Sequence, residues 1–293
     1  MTMILMSRRV TLLALALALP ALAGCSALGG QRSGRTQVVT AVYPLQYVAQ
    51  RIAGAHADVV NLTQPGREPH DIELTVRQTA QLVDADVVVY ERGFQAAVDD
   101  AVDQSNPQHA VDVAPVVHLH GDDPHFWLDP TLLSAAAVPV ERRLAAADPR
   151  HAPAYSRNLR SLQADLAALD KSFTKDLASC RIRTIVVSHD AFSYLGRRYG
   201  LHVVSVNGLS PDAEPSPAHV RRLQDLIRSD GIRAVFAEQL GSRQLADSLA
   251  HDLGILARVL DPVEGLSDAT AHQDYLSLMR RNLATLRSAD ECA

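Results

Sequence analysis

Val38-Val39-Thr40-Ala41-Val42 is a β-branched run, and Leu45, Val48, Ala49 and Ile52 follow it at i, i+3, i+4 and i+7. An extended stretch followed by an apolar stripe of helical period reads as a strand and then a helix. The alternation continues along the chain. Residues 58–62, 86–90 and 110–113 read as further strands, and Phe94, Ala97, Val98 and Ala101 supply a helical face between the last two. After Pro149 the pattern changes: Tyr155, Leu159, Leu162, Leu166, Leu169, Phe173 and Leu177 recur by threes and fours, which predicts one long amphipathic helix. Strands are expected again at 184–187, 202–206, 234–237 and 255–260, with helical stretches around Leu195, 223–227, 245–253 and 275–286. Strand and helix in alternation predict parallel sheets covered on both faces. The expected fold class is α/β: two parallel-sheet lobes, residues 37–148 and 180–293, joined by a long backbone helix within 149–179.

The chain has 293 residues, of which 47% are hydrophobic and 21% charged, a composition that supports a packed core rather than disorder. Its formal net charge is −5, and loss of the first 24 residues would remove Arg8 and Arg9 and make it more negative. A nucleic-acid partner, which needs a basic face, is excluded. The apolar run at 10–24 is too short to span a bilayer and stands where a signal peptide belongs.

Arg8 and Arg9 form a cationic start to that peptide, and Leu22-Ala23-Gly24-Cys25 closes it with small residues before a cysteine. The quartet resembles the bacterial lipobox, which implies cleavage before Cys25 and acylation of that residue. An ordinary cleavable signal is the alternative. Residues 7–13 also resemble a twin-arginine signal, so the export route stays open. Residues 25–36, with Gly29, Gly30 and Gly34, are expected to be a polar tether. Export favours oxidation, so Cys180 and Cys292 are candidates for a disulfide, with two separate thiols as the alternative.

Among the described residue patterns the common nucleotide, serine-hydrolase, zinc-protease and dithiol motifs are missing. Histidine stands out, with 12 copies. His70 follows the second expected strand, His125 the fourth and His189 the fifth, while Asp261 follows the last. In open α/β sheets ligands bind beyond the carboxyl ends of strands. Three imidazoles and a carboxylate are a donor set for tetrahedral zinc, although each residue taken singly reads more readily as a surface or capping group.

At these residues the sequence resembles the cluster A-I, or zinc-uptake type, solute-binding lipoproteins of bacterial ABC transporters. The matching motifs are Glu68-Pro69-His70, Asp123-Pro124-His125-Phe126-Trp127-Leu128-Asp129-Pro130, Ser188-His189-Asp190-Ala191-Phe192-Ser193-Tyr194-Leu195 with Tyr199-Gly200-Leu201, the segment 208–216, and Leu260-Asp261-Pro262. The resemblance implies two lobes with one metal ion between them, held by His70, His125, His189 and Asp261. His189 in third place matches zinc-type members, whereas many manganese-type members carry Glu there. The long acidic and histidine-rich loop of many zinc-type members is reduced to residues 118–123, in which His118 and His120 would face one side if extended and could be auxiliary metal ligands. Glu68, Asp190, Glu214 and Glu238 are candidates to orient the ligand imidazoles.

The resemblance thus implies an extracytoplasmic receptor binding one Zn2+ per chain, monomeric, anchored to the membrane through Cys25, and delivering its ion to an ABC permease. A zinc metallochaperone is a further candidate partner. The alternatives are a manganese receptor of the same family, a zinc-dependent hydrolase or a surface adhesin. Four protein ligands favour a closed site over a catalytic one, and no enzymatic activity is expected.

Overall fold

A computed structural model describes residues 34–105, 107–209 and 214–293. Cys25, the signal peptide and nearly all of the expected tether lie outside the described residues. The first half of the fold contains β1 (Thr36–Thr40), α1 (Tyr43–Ala53), β2 (Ala57–Asn61), α2 (Val76–Asp84), β3 (Val87–Tyr90), α3 (Ala96–Asp103), β4 (Ala110–Asp112), α4 (Ala114–Val117) and α5 (Pro130–Ala147). Then comes α6 (Ala152–Asp176). The second half contains β5 (Thr184–Val187), α7 (Ser193–Tyr199), β6 (His202–Ser205), α8 (Pro217–Asp230), β7 (Ala234–Ala237), α9 (Gln244–Leu253), β8 (Leu256–Val259) and α10 (Tyr275–Ala289).

The strands form two four-stranded sheets, in the orders β2-β1-β3-β4 and β6-β5-β7-β8. Every pairing is parallel: Val38 lies opposite Val59 and Val87, and Val186 opposite Val204 and Val235. Each centre strand is apolar on both faces because alternate side chains enter different cores. In β3, Val87 and Val89 join the main core while Val88 and Tyr90 pack on the opposite face. In β5, Ile185 and Val187 join that same main core while Val186 packs with Ile227 and Leu249. One apolar cluster therefore runs through both sheets and leaves each a smaller outer layer.

The long helix expected after Pro149 is α6, which buries Tyr155, Leu162, Leu166, Leu169 and Phe173 on one stripe. It packs against α1 and α5 from the first half and α10 from the second. The helix α5 is not among the expected elements: its interior Pro139 reads as a breaker, although Leu133, Ala136, Ala137, Val140 and Leu144 form its buried stripe. Asp129 starts it by accepting a hydrogen bond from the Thr131 amide, with Pro130 in the first turn. A disulfide joins Cys180, just ahead of β5, to Cys292, just after α10.

Candidate metal centre

The ligand atoms of His70, His125, His189 and Glu264 all lie within 4.8 Å of one another, the single such group among the described residues. Glu264 Oε1 is the hub, 2.8 Å from His125 Nε2, 3.4 Å from His70 Nε2 and 3.5 Å from His189 Nε2. The His125 and His189 Nε2 atoms are 3.4 Å apart. Donors bound at 2.0–2.1 Å around a tetrahedral ion stand roughly 3.3 Å from one another, so this spacing suits a single cation of zinc's size. His125 and His189 are fully buried, Glu264 nearly so, and the His70 side chain retains 14% of its exposure.

Local folding sets each side chain. His189 follows β5, and its Nδ1 is 2.5 Å from Glu238 Oε1, just beyond β7; the Ser188 hydroxyl donates to the same oxygen. His125 lies in a turn where Asp123 Oδ1 accepts from its amide at 3.0 Å and contacts its Nδ1 at 2.8 Å. With Nδ1 held by a carboxylate, each ring turns its Nε2 toward the shared centre, where a cation in place of the Nε2 proton would meet a lone pair. His70 sits in the irregular segment after β2. Its amide donates to Glu68 Oε1, the Gln95 amide group donates to the Pro69 carbonyl at 2.8 Å, and Phe94 packs edge-on against its ring.

The structure corrects the fourth expected ligand. Asp261 is buried but turned away: Oδ1 accepts from the Val263 amide at 2.8 Å, and Oδ2 from Arg281 at 3.1 Å. It shapes the loop instead, since Val263 stands at φ 59°. A β-branched residue in the left-handed region costs about 1–3 kcal/mol and needs its surroundings to hold it there. The Asp261 cap and the Trp127 indole N–H, which donates to the Pro262 carbonyl at 2.8 Å, do so. The chain reversal delivers Glu264 to the three imidazoles. The one hint in the sequence is a second carboxylate three residues beyond the strand-end aspartate.

Among the residues expected to support the ligands, Glu238 and Glu68 lie at the site. Asp190 Oδ1 instead accepts from Ser193 at the start of α7, and Glu214 is exposed on the rim of a cavity of about 710 Å³ that Glu238 also lines. Asp123, which holds His125, was missing from that set. His118 and His120 do not join the group. The segment is not extended there, because His118 takes φ 51° at the end of α4, and His120 packs near the Tyr194 ring.

The electrostatics suit a cation. Burial opposes ionisation of Glu264, yet hydrogen bonds from His125, His189 and His70 outweigh it and hold the carboxyl well below its usual range. Burial also opposes a charged His189, but its bonds to Glu238 and Glu264 prevail and push it up to about 10. Glu68 is raised to about 7, first by burial and then by the Glu264 charge. Negative charge thus collects around His125 and His189, both held above the usual imidazole range, and a dication can take the place of the protons this favours.

Fold and site together define a two-sheet α/β binding protein with a buried cation-receiving cluster built from both halves of the chain. The chain belongs to the ZnuA family, described as the periplasmic component A of zinc-uptake complexes, which it matches over residues 38–289. It is 31% identical to the zinc-binding protein AdcA of Streptococcus pyogenes serotype M1, with 89% of this chain covered. It spans only 57% of the length of that relative. It is 29% identical to the high-affinity zinc uptake system protein ZnuA of Bacillus subtilis, over 88% of each chain. The crystal structure of the Zn(II)-bound ZnuA-like domain of Streptococcus pneumoniae AdcA superposes with a TM-score of 0.77 at 30% identity, covering 88% of this chain and all of that domain.

Proposed function

We propose that the chain is the extracytoplasmic zinc receptor of a bacterial ABC importer, binding one Zn2+ as cargo through His70, His125, His189 and Glu264 and handing it to a membrane permease. The convergence of three Nε2 atoms on Glu264 Oε1 carries this reading. Imidazole-rich sets favour zinc, whereas carboxylate-rich sets suit manganese, and the Irving–Williams order points the same way. Four protein donors leave no position for an activated water, which separates this site from a zinc hydrolase. The division into lobes at 37–148 and 180–293, the anchor at Cys25, the monomeric state and a metallochaperone as zinc donor belong to the same proposal.

Metal analysis of the protein purified without added metal, followed by calorimetric titration, tests it. About one zinc per chain is expected, with binding lost in His189→Ala and retained in His151→Ala. A His189→Ala protein that binds as the wild type does would sink the assignment, and a preference for manganese in direct competition would overturn the choice of ion.

A further inference from the structure

We infer, on the zinc reading of the site, that Trp127 is a positioning residue that locks His125 and Glu264, one ligand from each half of the chain, into a single unit, so that the two donors are gained or lost together. Trp127 is the one tryptophan of the chain and is fully buried. It stands two residues after His125, and its ring meets the His125 imidazole edge to face with centroids 5.4 Å apart. The indole N–H reaches into the other half and donates to the Pro262 carbonyl at 2.8 Å, two residues ahead of Glu264. The Trp127 carbonyl accepts the Tyr275 hydroxyl at 2.5 Å, from the first turn of α10. Ring, N–H and carbonyl of one residue thus engage three different segments.

The helix α10 acts as the splint. Tyr275 and Asn282 are seven residues apart, which places them on one face, and both are buried. Asn282 brackets the backbone of Asp261: its Oδ1 accepts from the Asp261 amide at 2.9 Å and its Nδ2 donates to the Asp261 carbonyl at 2.6 Å. The loop from Asp261 to Glu264 is therefore held at its start by α10 and in its middle by Trp127, which α10 also holds. On the other side the Leu128 amide donates to the His125 carbonyl at 3.1 Å, and the turn runs straight into the Asp129 cap of α5. If the loop withdraws from the imidazoles, the Trp127 N–H and the Pro262 carbonyl lose each other in a buried place. Stranding two polar groups at once is costly, so the clasp favours a closed or an open state over intermediate ones.

Calorimetric zinc titration of the full chain supplies the test. Trp127→Phe keeps a ring and removes the N–H, and is expected to bind zinc about tenfold more weakly, in the range for loss of an outer support. In double-mutant cycles that cost should shrink to within about twofold on a Glu264→Gln background and on a His125→Ala background, because half of the unit is already gone. An unweakened Trp127→Phe protein, or a cost that persists on either background, overturns the positioning role. With Co2+ as a coloured probe, the visible bands of a tetrahedral ion should weaken in Trp127→Phe as water replaces the displaced carboxylate. Bands identical to those of the wild type would reduce Trp127 to a packing residue. Tyr275→Phe retains the tryptophan and the ring beside Tyr47, and carries the same cycles should Trp127→Phe fail to fold. A Glu264→Gln protein that binds zinc as the wild type does overturns the site reading and the clasp together, whereas a strongly weakened Glu264→Gln with additive cycles overturns the clasp alone.

Discussion

The two halves of the molecule hold their ligands differently. In the second half β5 ends at Val187 with His189 directly beyond it, and β8 ends at Val259 with Glu264 close behind. In the first half β2 ends at Asn61 and β4 at Asp112, so His70 and His125 ride on longer irregular segments. His125 is compensated by Asp123 and full burial, whereas His70 keeps some exposure and is steadied mainly through its backbone neighbours. The difference teaches that, in the proposed zinc site, the second half supplies a preset corner and His70 is the most adjustable donor.

The disulfide offers the largest lever on this comparison, because it ties the second half alone. The Cys180→Ser/Cys292→Ser protein is expected to lose roughly 4 to 5 kcal/mol of stability, by the loop-entropy relation for a sequence separation of 112. Denaturant unfolding with and without reductant measures it, and an unchanged midpoint would deny the bond its structural role.

Removing ligands comes next. Glu264→Gln and His189→Ala should each weaken zinc by more than about 100-fold, beyond the range for outer supports, and His70→Ala should cost less than either. Asp261→Asn serves as the contrast, with affinity expected within a few fold of the wild type. Calorimetry would erase the distinction between the halves if all three ligand variants lost equally. It would restore Asp261 as a ligand if Asp261→Asn lost as much as Glu264→Gln.

The supporting carboxylates should matter less, Glu238→Gln and Asp123→Asn each weakening zinc by about 10- to 100-fold. A smaller effect at Glu238 than at Asp123 would contradict a preset second half.

Taken per pH unit, the smallest effect is the pH dependence. With His189 raised to about 10 by Glu238 and Glu264 against the opposing effect of burial, the ion-free ring is protonated at neutral pH and zinc must displace that proton. Affinity therefore rises with pH until the ring's own titration is passed, and falls by about tenfold per pH unit for each proton displaced as pH drops below it. Titration at pH 7 in buffers of different ionisation enthalpy should reveal proton release. None at all would place the proton elsewhere.

The architecture was largely legible, because β-branched runs and helical stripes report burial directly. The runs at 184–187 and 234–237 are β5 and β7, and the stripe from Tyr155 to Phe173 is buried in α6. The helix α5 escaped because Pro139 argues against a helix that tertiary packing of Leu133, Val140 and Leu144 nonetheless stabilises. At the proposed site, the three histidines were visible as residues that follow strands, His189 almost at once and His70 and His125 after longer segments. The fourth donor was not, since the choice between Asp261 and Glu264 depends on the left-handed turn at Val263, which no propensity of valine foretells. Asp123 was hidden for a related reason: its role follows from a two-residue reach back along the chain, a matter of local dihedrals rather than pattern.

The bond between Cys180 and Cys292 closes β5 to α10 into a covalent ring. A protease that severs one peptide bond anywhere inside that ring, in an exposed segment beside β8 for example, leaves the pieces attached. His189, Glu238 and Glu264 all belong to the ring, so a nicked molecule keeps these groups on one covalent body and can regain their arrangement without a diffusive search. A cut in the segment bearing His70 has no such remedy.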